Sequence, residues 1–338
     1  MKKVSKTLEL YLENVSKLKV KEANQLPAPK SNEVKLSIIY GGICGSDLRV
    51  YNGLLSYAQY PLRPGHEVLG TVIEAGANSP YKVGTRVVSF PNTFCDDCEA
   101  CSIGKTNICR NKKSLGVTID GVFAQEIIID AKYVVPVPED LVDERAILVE
   151  PFAVTVHAVK KAKISKGTSV AVIGCGTEGL LTIALALHLG ADITVIDVNP
   201  VKFEIARQLG NVKTMSPEDV TDETFDVVIE AAGVPQAIEQ AIGLVKPGGT
   251  MIALGITGDL VKLSPIHLVR NEISILGSII YTKADFNDAI NYLKDPSFKI
   301  EPVVSKIVSC TKAQEAFNDA MSGKYAKIIL DFTAGVAN

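Results

Sequence analysis

Apolar and polar positions along the chain follow two different patterns, and the change comes near residue 154. Before it, apolar stretches are short and end at glycine or proline. Residues 34–40 alternate in part and stop at Gly41-Gly42, and residues 68–76 end at Gly76. Residues 85–90 and 125–129 complete the set. Many short strands punctuated in this way predict a β-rich barrel or sandwich over residues 1–153. From 154 to 285, the runs Ser169–Ile173, 193–196, Phe225–Glu230 and 249–255 alternate with helix-like segments. That alternation predicts a doubly wound parallel sheet and places the chain in the α/β class. The tetrapeptide Lys246-Pro247-Gly248-Gly249 is expected to be a turn separating helix from strand. Helices are expected over 153–161, which holds His157, and over 283–293. A last strand over 326–330 takes residues 286–338 back to the first domain.

Composition narrows the class. With 338 residues, two domains are expected, since one core seldom grows past about 250–300 residues. A net charge of −3 and the lack of a basic stretch argue against nucleic acid as a partner. The start, Met1 to Glu9, has no apolar leader, and no apolar run reaches the roughly 20 residues that cross a bilayer. A cytoplasmic protein without membrane contact is expected.

The most informative stretch is the turn Gly174-Cys175-Gly176-Thr177-Glu178-Gly179, between the run Ser169–Ile173 and the helix-like residues 180–187. Strand, glycine turn and helix form a dinucleotide-binding fingerprint. Gly174 makes the tight turn, Gly176 admits a pyrophosphate, and Gly179 lets helix and strand pack closely. The helix N-terminus then points its N–H groups at the phosphates. Such a turn alone also occurs in ordinary loops. Here the next strand ends at Asp197, roughly 20 residues on, where an acid holds the adenosine ribose. A carboxylate there repels a 2′-phosphate, and Val198 and Asn199 supply no arginine to welcome one. NAD is therefore expected over NADP. Leu254, Ile256 and Ser278 complete the expected cofactor contacts with Thr177 and Glu178.

Four of the seven cysteines, Cys95, Cys98, Cys101 and Cys109, crowd into one stretch. Thiolates at this spacing can close a tetrahedron on a structural zinc ion. A second constellation is looser. Cys44-Gly45-Ser46-Asp47, Gly65-His66-Glu67 and Glu150-Pro151 offer a thiolate, an imidazole and carboxylates, but no local spacing ties them together. Singly, Cys44 and His66 also fit a buried core.

These motifs in this order resemble the zinc-containing medium-chain alcohol dehydrogenases, in particular their sorbitol, threonine and galactitol-phosphate dehydrogenase branch. The resemblance rests on residues 42–47, Pro64-Gly65-His66-Glu67, the four-cysteine lobe and residues 120–124. It continues through Val149-Glu150-Pro151, the glycine turn and residues 197–202. It implies a GroES-like catalytic domain and a Rossmann NAD domain, with the active site between them. It also implies a catalytic zinc on Cys44, His66 and either Glu67 or Glu150. Ser46 would pass on the alcohol proton, Asp47 would bond the ring of His66, and Lys202 would touch the ribose. The implied reaction moves a hydride between a secondary alcohol (polyol, sugar alcohol or amino alcohol) and NAD, in a homodimer or homotetramer.

Three residues depart from the branch. Arg49 stands where some relatives place a proton-relaying histidine, and Glu178 where an apolar residue is usual. Ile280 replaces an arginine that contacts substrate hydroxyls in sorbitol dehydrogenases. Two other readings stay open. One is a dehydrogenase of a phosphorylated sugar alcohol, hinted at by Arg49 and Arg63. The other is a non-catalytic NAD-binding zinc protein.

Overall fold

The computed structural model describes residues 7–334. The start of the chain, where no leader was expected, lies mostly outside them. Two compact units emerge, one running up to Glu150 and resuming at Val304, the other from Pro151 to Val303. In chain order the elements are β1 (Leu8–Leu12), β2 (Leu18–Glu22), β3 (Glu33–Ile43), α1 (Gly45–Tyr51), β4 (Glu67–Ala75), β5 (Arg86–Ser89), α2 (Glu99–Ser102), β6 (Glu126–Asp130), β7 (Val134–Pro136) and α3 (Asp143–Ala146). Next come α4 (Val149–Ala162), β8 (Ser169–Ile173), α5 (Thr177–His188), β9 (Asp192–Ile196), α6 (Pro200–Leu209), β10 (Lys213–Met215), β11 (Phe225–Glu230) and α7 (Pro235–Gly243). The chain continues through β12 (Val245–Ala253), α8 (Pro265–Asn271), β13 (Ser274–Gly277) and α9 (Lys283–Lys294), and closes with β14 (Val304–Ser309), α10 (Ala313–Met321) and β15 (Lys327–Asp331).

The first unit is built on a seven-stranded sheet in the order β14-β15-β3-β4-β5-β7, with β6 also pairing β3. The first part of β3 obeys the period of two. Val34, Leu36 and Ile38 of β3 are buried, while the residues between them are only half-buried. They join a core with Val72, Phe123, Phe317 and Phe332. Fully burying each such side chain is worth about 1.5–3 kcal/mol. β15 lies antiparallel to β3, with Ile328 opposite Ile43. This pairing brings the start of β15 beside the end of β3, which leads into α1.

The second unit is a six-stranded parallel sheet in the order β10-β9-β8-β11-β12-β13. Val170 to Ile173 are buried without alternation, as expected of a strand covered on both faces. The order reverses between β8 and β11, which puts a ligand crevice at the carboxyl ends of those two strands.

The Lys246–Gly249 turn does not separate helix from strand as expected. β12 already begins at Val245, opposite Phe225, and its register shifts before Thr250 pairs with Val227. Gly248 takes φ +78° inside this irregularity. A bulge demands the same turn residues as a loop, so the two look alike in sequence.

Candidate active site

The first cluster forms around the start of α1. Cys44 is the N-cap of α1, and Asp47 in the first turn accepts the Cys44 N–H at 2.9 Å through Oδ2. Its other oxygen, Oδ1, accepts the N–H of Gly65 at 3.2 Å and lies 3.2 Å from His66 Nδ1. One carboxylate, 1% exposed, thereby joins the helix start to Gly65-His66. Gly65 has φ +93°, and a Cβ there would meet the Phe123 ring at 2.2 Å, so the chain turns into His66 only through glycine. With Nδ1 engaged by Asp47, Nε2 is the ring nitrogen left for other work, and Ser46 Oγ lies 3.4 Å from it.

Donor atoms of Cys44, His66 and Glu67 lie within 4.8 Å of one another. A thiolate, an imidazole and a carboxylate suit zinc, and three protein ligands leave a fourth position open. The surroundings favour a cation as well. Burial alone would lower the His66 pKa, but Asp47 and Cys44 outweigh it and raise the group well above its ordinary value. Glu150, buried in the first turn of α4, stands outside this trio.

Glu67 is fully buried and paired. Lys327 Nζ of β15 lies 2.6 Å from its Oε1 and 2.8 Å from its Oε2, and also donates to the Ile43 carbonyl at 3.2 Å. Gly42 leaves room for the pair, since a Cβ there would stand 1.9 Å from Glu67 Oε2. Sequence reasoning missed Lys327. The one available signal was a lysine inside the otherwise apolar run 326–330.

The four cysteines of the lobe also converge, their sulfur atoms lying within 4.8 Å of one another and those of Cys95 and Cys109 at 3.6 Å. Backbone N–H groups of Arg110 and Cys101 draw the Cys98 thiol down to about 6. Four sulfur ligands suit a closed zinc site.

The second unit holds the glycine turn. Gly174, at φ +94°, has its Cα against Ala232, where a Cβ would meet the backbone nitrogen at 2.7 Å. Gly176 faces open space, and as N-cap of α5 it leaves the first-turn N–H groups without a side-chain cap. Gly179 packs so tightly that a Cβ would lie 1.8 Å from the Gly174 carbonyl oxygen. Uncapped N–H groups at an open turn of this kind suit an anion. Thr177 and Glu178 form the first turn of α5.

Asp197 holds the turn from below. Its Oδ2 accepts the Cys175 N–H at 2.5 Å and its Oδ1 the Asn199 N–H at 2.7 Å. Lys202 is buried in α6, and its pKa is lowered by desolvation, against the pull of Asp197. Cys175 is fully buried, and burial pushes its thiol up. Leu254 is buried and Ile256 exposed, while Ser278 is buried with its Oγ lacking a hydrogen-bond partner.

Residues 30–139 match the alcohol dehydrogenase GroES-like domain, and residues 179–295 match the zinc-binding dehydrogenase domain. The chain is 32% identical to the sorbitol dehydrogenase of Bacillus subtilis (strain 168), an alignment covering 88% of this chain and 90% of that one. It belongs to the zinc-containing medium-chain alcohol dehydrogenases. Two solved structures share its fold over 97% of this chain and 99% of theirs. One, from Sinorhizobium meliloti 1021, is bound to NADP (TM-score 0.90, 28% identity). The other is an alcohol dehydrogenase from E. coli CFT073 complexed with NADH (TM-score 0.91, 25% identity). As a medium-chain dehydrogenase of this kind, the chain is a zinc-dependent alcohol oxidoreductase working with a nicotinamide cofactor.

One hint of anion binding and one departure from the dehydrogenase branch gain a structural context. Arg63 is committed within its own unit, its Nε donating to the Gly121 carbonyl at 2.7 Å and its Nη1 pairing with Glu9 at 3.1 Å. Ile280 sits at φ +54°, a conformation a β-branched residue rarely adopts. Among the described residues, no helix is long and apolar enough to cross a membrane.

Proposed function

We propose that this dehydrogenase interconverts a small secondary alcohol and its ketone with NAD as the redox partner. The convergence of Cys44, His66 and Glu67 on one point carries the reading. Bound there, zinc would supply a Lewis acid that lowers the pKa of a hydroxyl, and NAD would accept the hydride.

The chain's own residues have distinct tasks in this reading. Cys44 and His66 hold the metal, with Glu67 or Glu150 as the third ligand. Asp47 keeps the proton of His66 on Nδ1 and so frees Nε2. Ser46 Oγ takes the alcohol proton and passes it on. Asp197 accepts bonds from the ribose hydroxyls and repels a 2′-phosphate, Lys202 seconds it, and Gly176 admits the pyrophosphate. Thr177, Glu178, Leu254, Ile256 and Ser278 border the rest of the cofactor. Ile280 offers no donor to a polyol hydroxyl, which favours a less hydroxylated substrate than sorbitol.

Dehydrogenation of a phosphorylated sugar alcohol is the weaker reading, because Arg63 is already engaged. A panel of secondary alcohols, polyols, amino alcohols and sugar-alcohol phosphates, assayed with NAD and with NADP, tests the proposal through NADH or NADPH absorbance. Reduction of NAD by an unphosphorylated secondary alcohol is expected. No alcohol-dependent reduction of either cofactor would favour a non-catalytic NAD-binding zinc protein instead.

We also infer assembly into a homodimer or homotetramer. β13 is an edge strand whose Ile275 and Leu276 are 37% and 36% exposed, and Val269 of nearby α8 is 76% exposed. Apolar edge strands invite pairing with a copy of themselves. Sedimentation should show more than one chain per particle, and a monomer at every concentration would refute this. We infer a cytoplasmic location from cysteine usage, since four of the seven cysteines converge as a metal lobe and none is paired in a disulfide among the described residues. A fluorescent fusion found in an oxidising compartment would overturn it.

A further inference from the structure

Glu230, the last residue of β11, lies at the point where the strand order of the sheet reverses. It is fully buried. Its main-chain oxygen accepts the N–H groups of Leu254 and Gly255 at 2.9 and 2.8 Å. Its side-chain Oε1 accepts those of Ala232 and Gly233 at 2.8 and 2.7 Å. One residue therefore gathers backbone donors from the loops that follow both β11 and β12.

Those loops are keyed to the glycine turn as well. Ala232 fills the space where Gly174 lacks a Cβ, and Ala231 N–H donates to the Ile173 carbonyl at 2.8 Å. Gly255 packs on the other side, where a Cβ would stand 2.3 Å from Gly233 N and 2.7 Å from Glu230 Oε2. The ends of β8, β11 and β12 thus share one clamp.

A carboxyl is a costly choice for this place. Oε2 is buried without a hydrogen-bond partner, and desolvation raises the group's pKa against the pull of the three loop N–H groups. An apolar residue would fill the volume without that cost, but it could not hold two N–H groups on one atom.

We propose that Glu230 is a positioning residue of the nicotinamide cofactor site, fixing the loops at 231–233 and 254–256 against the glycine turn. This rests on the cofactor reading above. The test is NADH binding by calorimetry or by the fluorescence of the reduced ring, which no tryptophan obscures in this chain. Glu230→Leu should weaken NADH by about tenfold or more, as expected when two buried N–H groups lose their acceptor. Glu230→Gln retains a carbonyl oxygen for both N–H groups and should bind within about threefold of wild type.

Asp226→Asn supplies the control for stability alone. Asp226 stands at the opposite end of the same strand, bonded to Ser169 and Lys246. Its replacement should lower the melting temperature without changing NADH affinity. If Glu230→Leu does not fold, Gly255→Ala disturbs the same clamp from the neighbouring loop and should give the same loss. Wild-type NADH affinity in Glu230→Leu, or in Gly255→Ala where that one is used, would overturn the proposal. So would a loss in Asp226→Asn equal to that in Glu230→Leu. Wild-type protein that binds neither NADH nor NADPH would instead refute the cofactor reading itself.

Discussion

Lys327 Nζ bridges both carboxylate oxygens of Glu67, at 2.6 and 2.8 Å, with the two side chains 1% and 0% exposed. A buried ion pair gives little net stability, but removing one partner strands the other charge in a low dielectric. Lys327→Met should therefore destabilise the chain by about 3–5 kcal/mol. It should also disturb metal binding at Cys44 and His66, because Glu67 loses its anchor. Lys327→Arg keeps the charge and should restore much of both. Thermal melts and zinc analysis check this, and a Met variant with wild-type stability and zinc content would contradict it.

The two convergent donor sets imply two zinc ions per chain, one on Cys44 and His66 and one on the four-cysteine lobe. Cys98→Ser should remove one ion and lower the melting temperature. The ion held by Cys44 and His66 should remain. Elemental analysis of both proteins distinguishes this from a single shared site.

Asp197 has two tasks, since its oxygens already brace Cys175 and Asn199 while it is proposed to meet the ribose. Asp197→Ser should cut kcat/KM with NAD by about tenfold or more, as for a lost charge-assisted hydrogen bond. It should leave the NADP value less affected, because the repulsion of a 2′-phosphate disappears as well. An unchanged NAD/NADP ratio would remove Asp197 from cofactor selection.

Acid stability should depend on Asp285. Its carboxylate caps α9 through Thr282 and receives His157 Nδ1 and Lys160 Nζ, each at 2.8 Å. Burial pushes its pKa up, but the bonds from His157, Lys160 and Thr282 outweigh it and hold the group well below the usual carboxylate range. A depressed folded pKa stabilises fully above the unfolded value of about 3.9 and loses that contribution as pH falls through the folded value. Asp285→Asn should therefore melt below wild type at neutral pH, and the gap should narrow as pH drops under about 4. A gap independent of pH would show that the cap alone matters.

Much of the fold was legible because its signals are local. The unbroken apolar run Ser169–Ile173 announces a strand covered on both faces, and the glycines at 174, 176 and 179 announce the turn after it. The cysteines at 95, 98, 101 and 109 announce a metal lobe, since their spacing alone brings four sulfur atoms together. The Lys246–Gly249 stretch was equally visible but ambiguous, because a bulge and a turn need the same residues.

The sequence by itself determined the α/β class, the glycine turn with Asp197 after it, and the four-cysteine lobe. The glycine turn with Asp197 and the cysteine lobe are each written within about 25 residues, and the α/β class is carried by the repeat of strand-like and helix-like runs over residues 154–285. Only the tertiary structure decided that Lys327 holds Glu67 and that Asp285 holds His157. Only it decided that Glu230 gathers the loops after β11 and β12. The Lys327–Glu67 and Asp285–His157 partners are 260 and 128 residues apart. They meet through strand register and helix packing, which leave no periodic trace in the order of the residues.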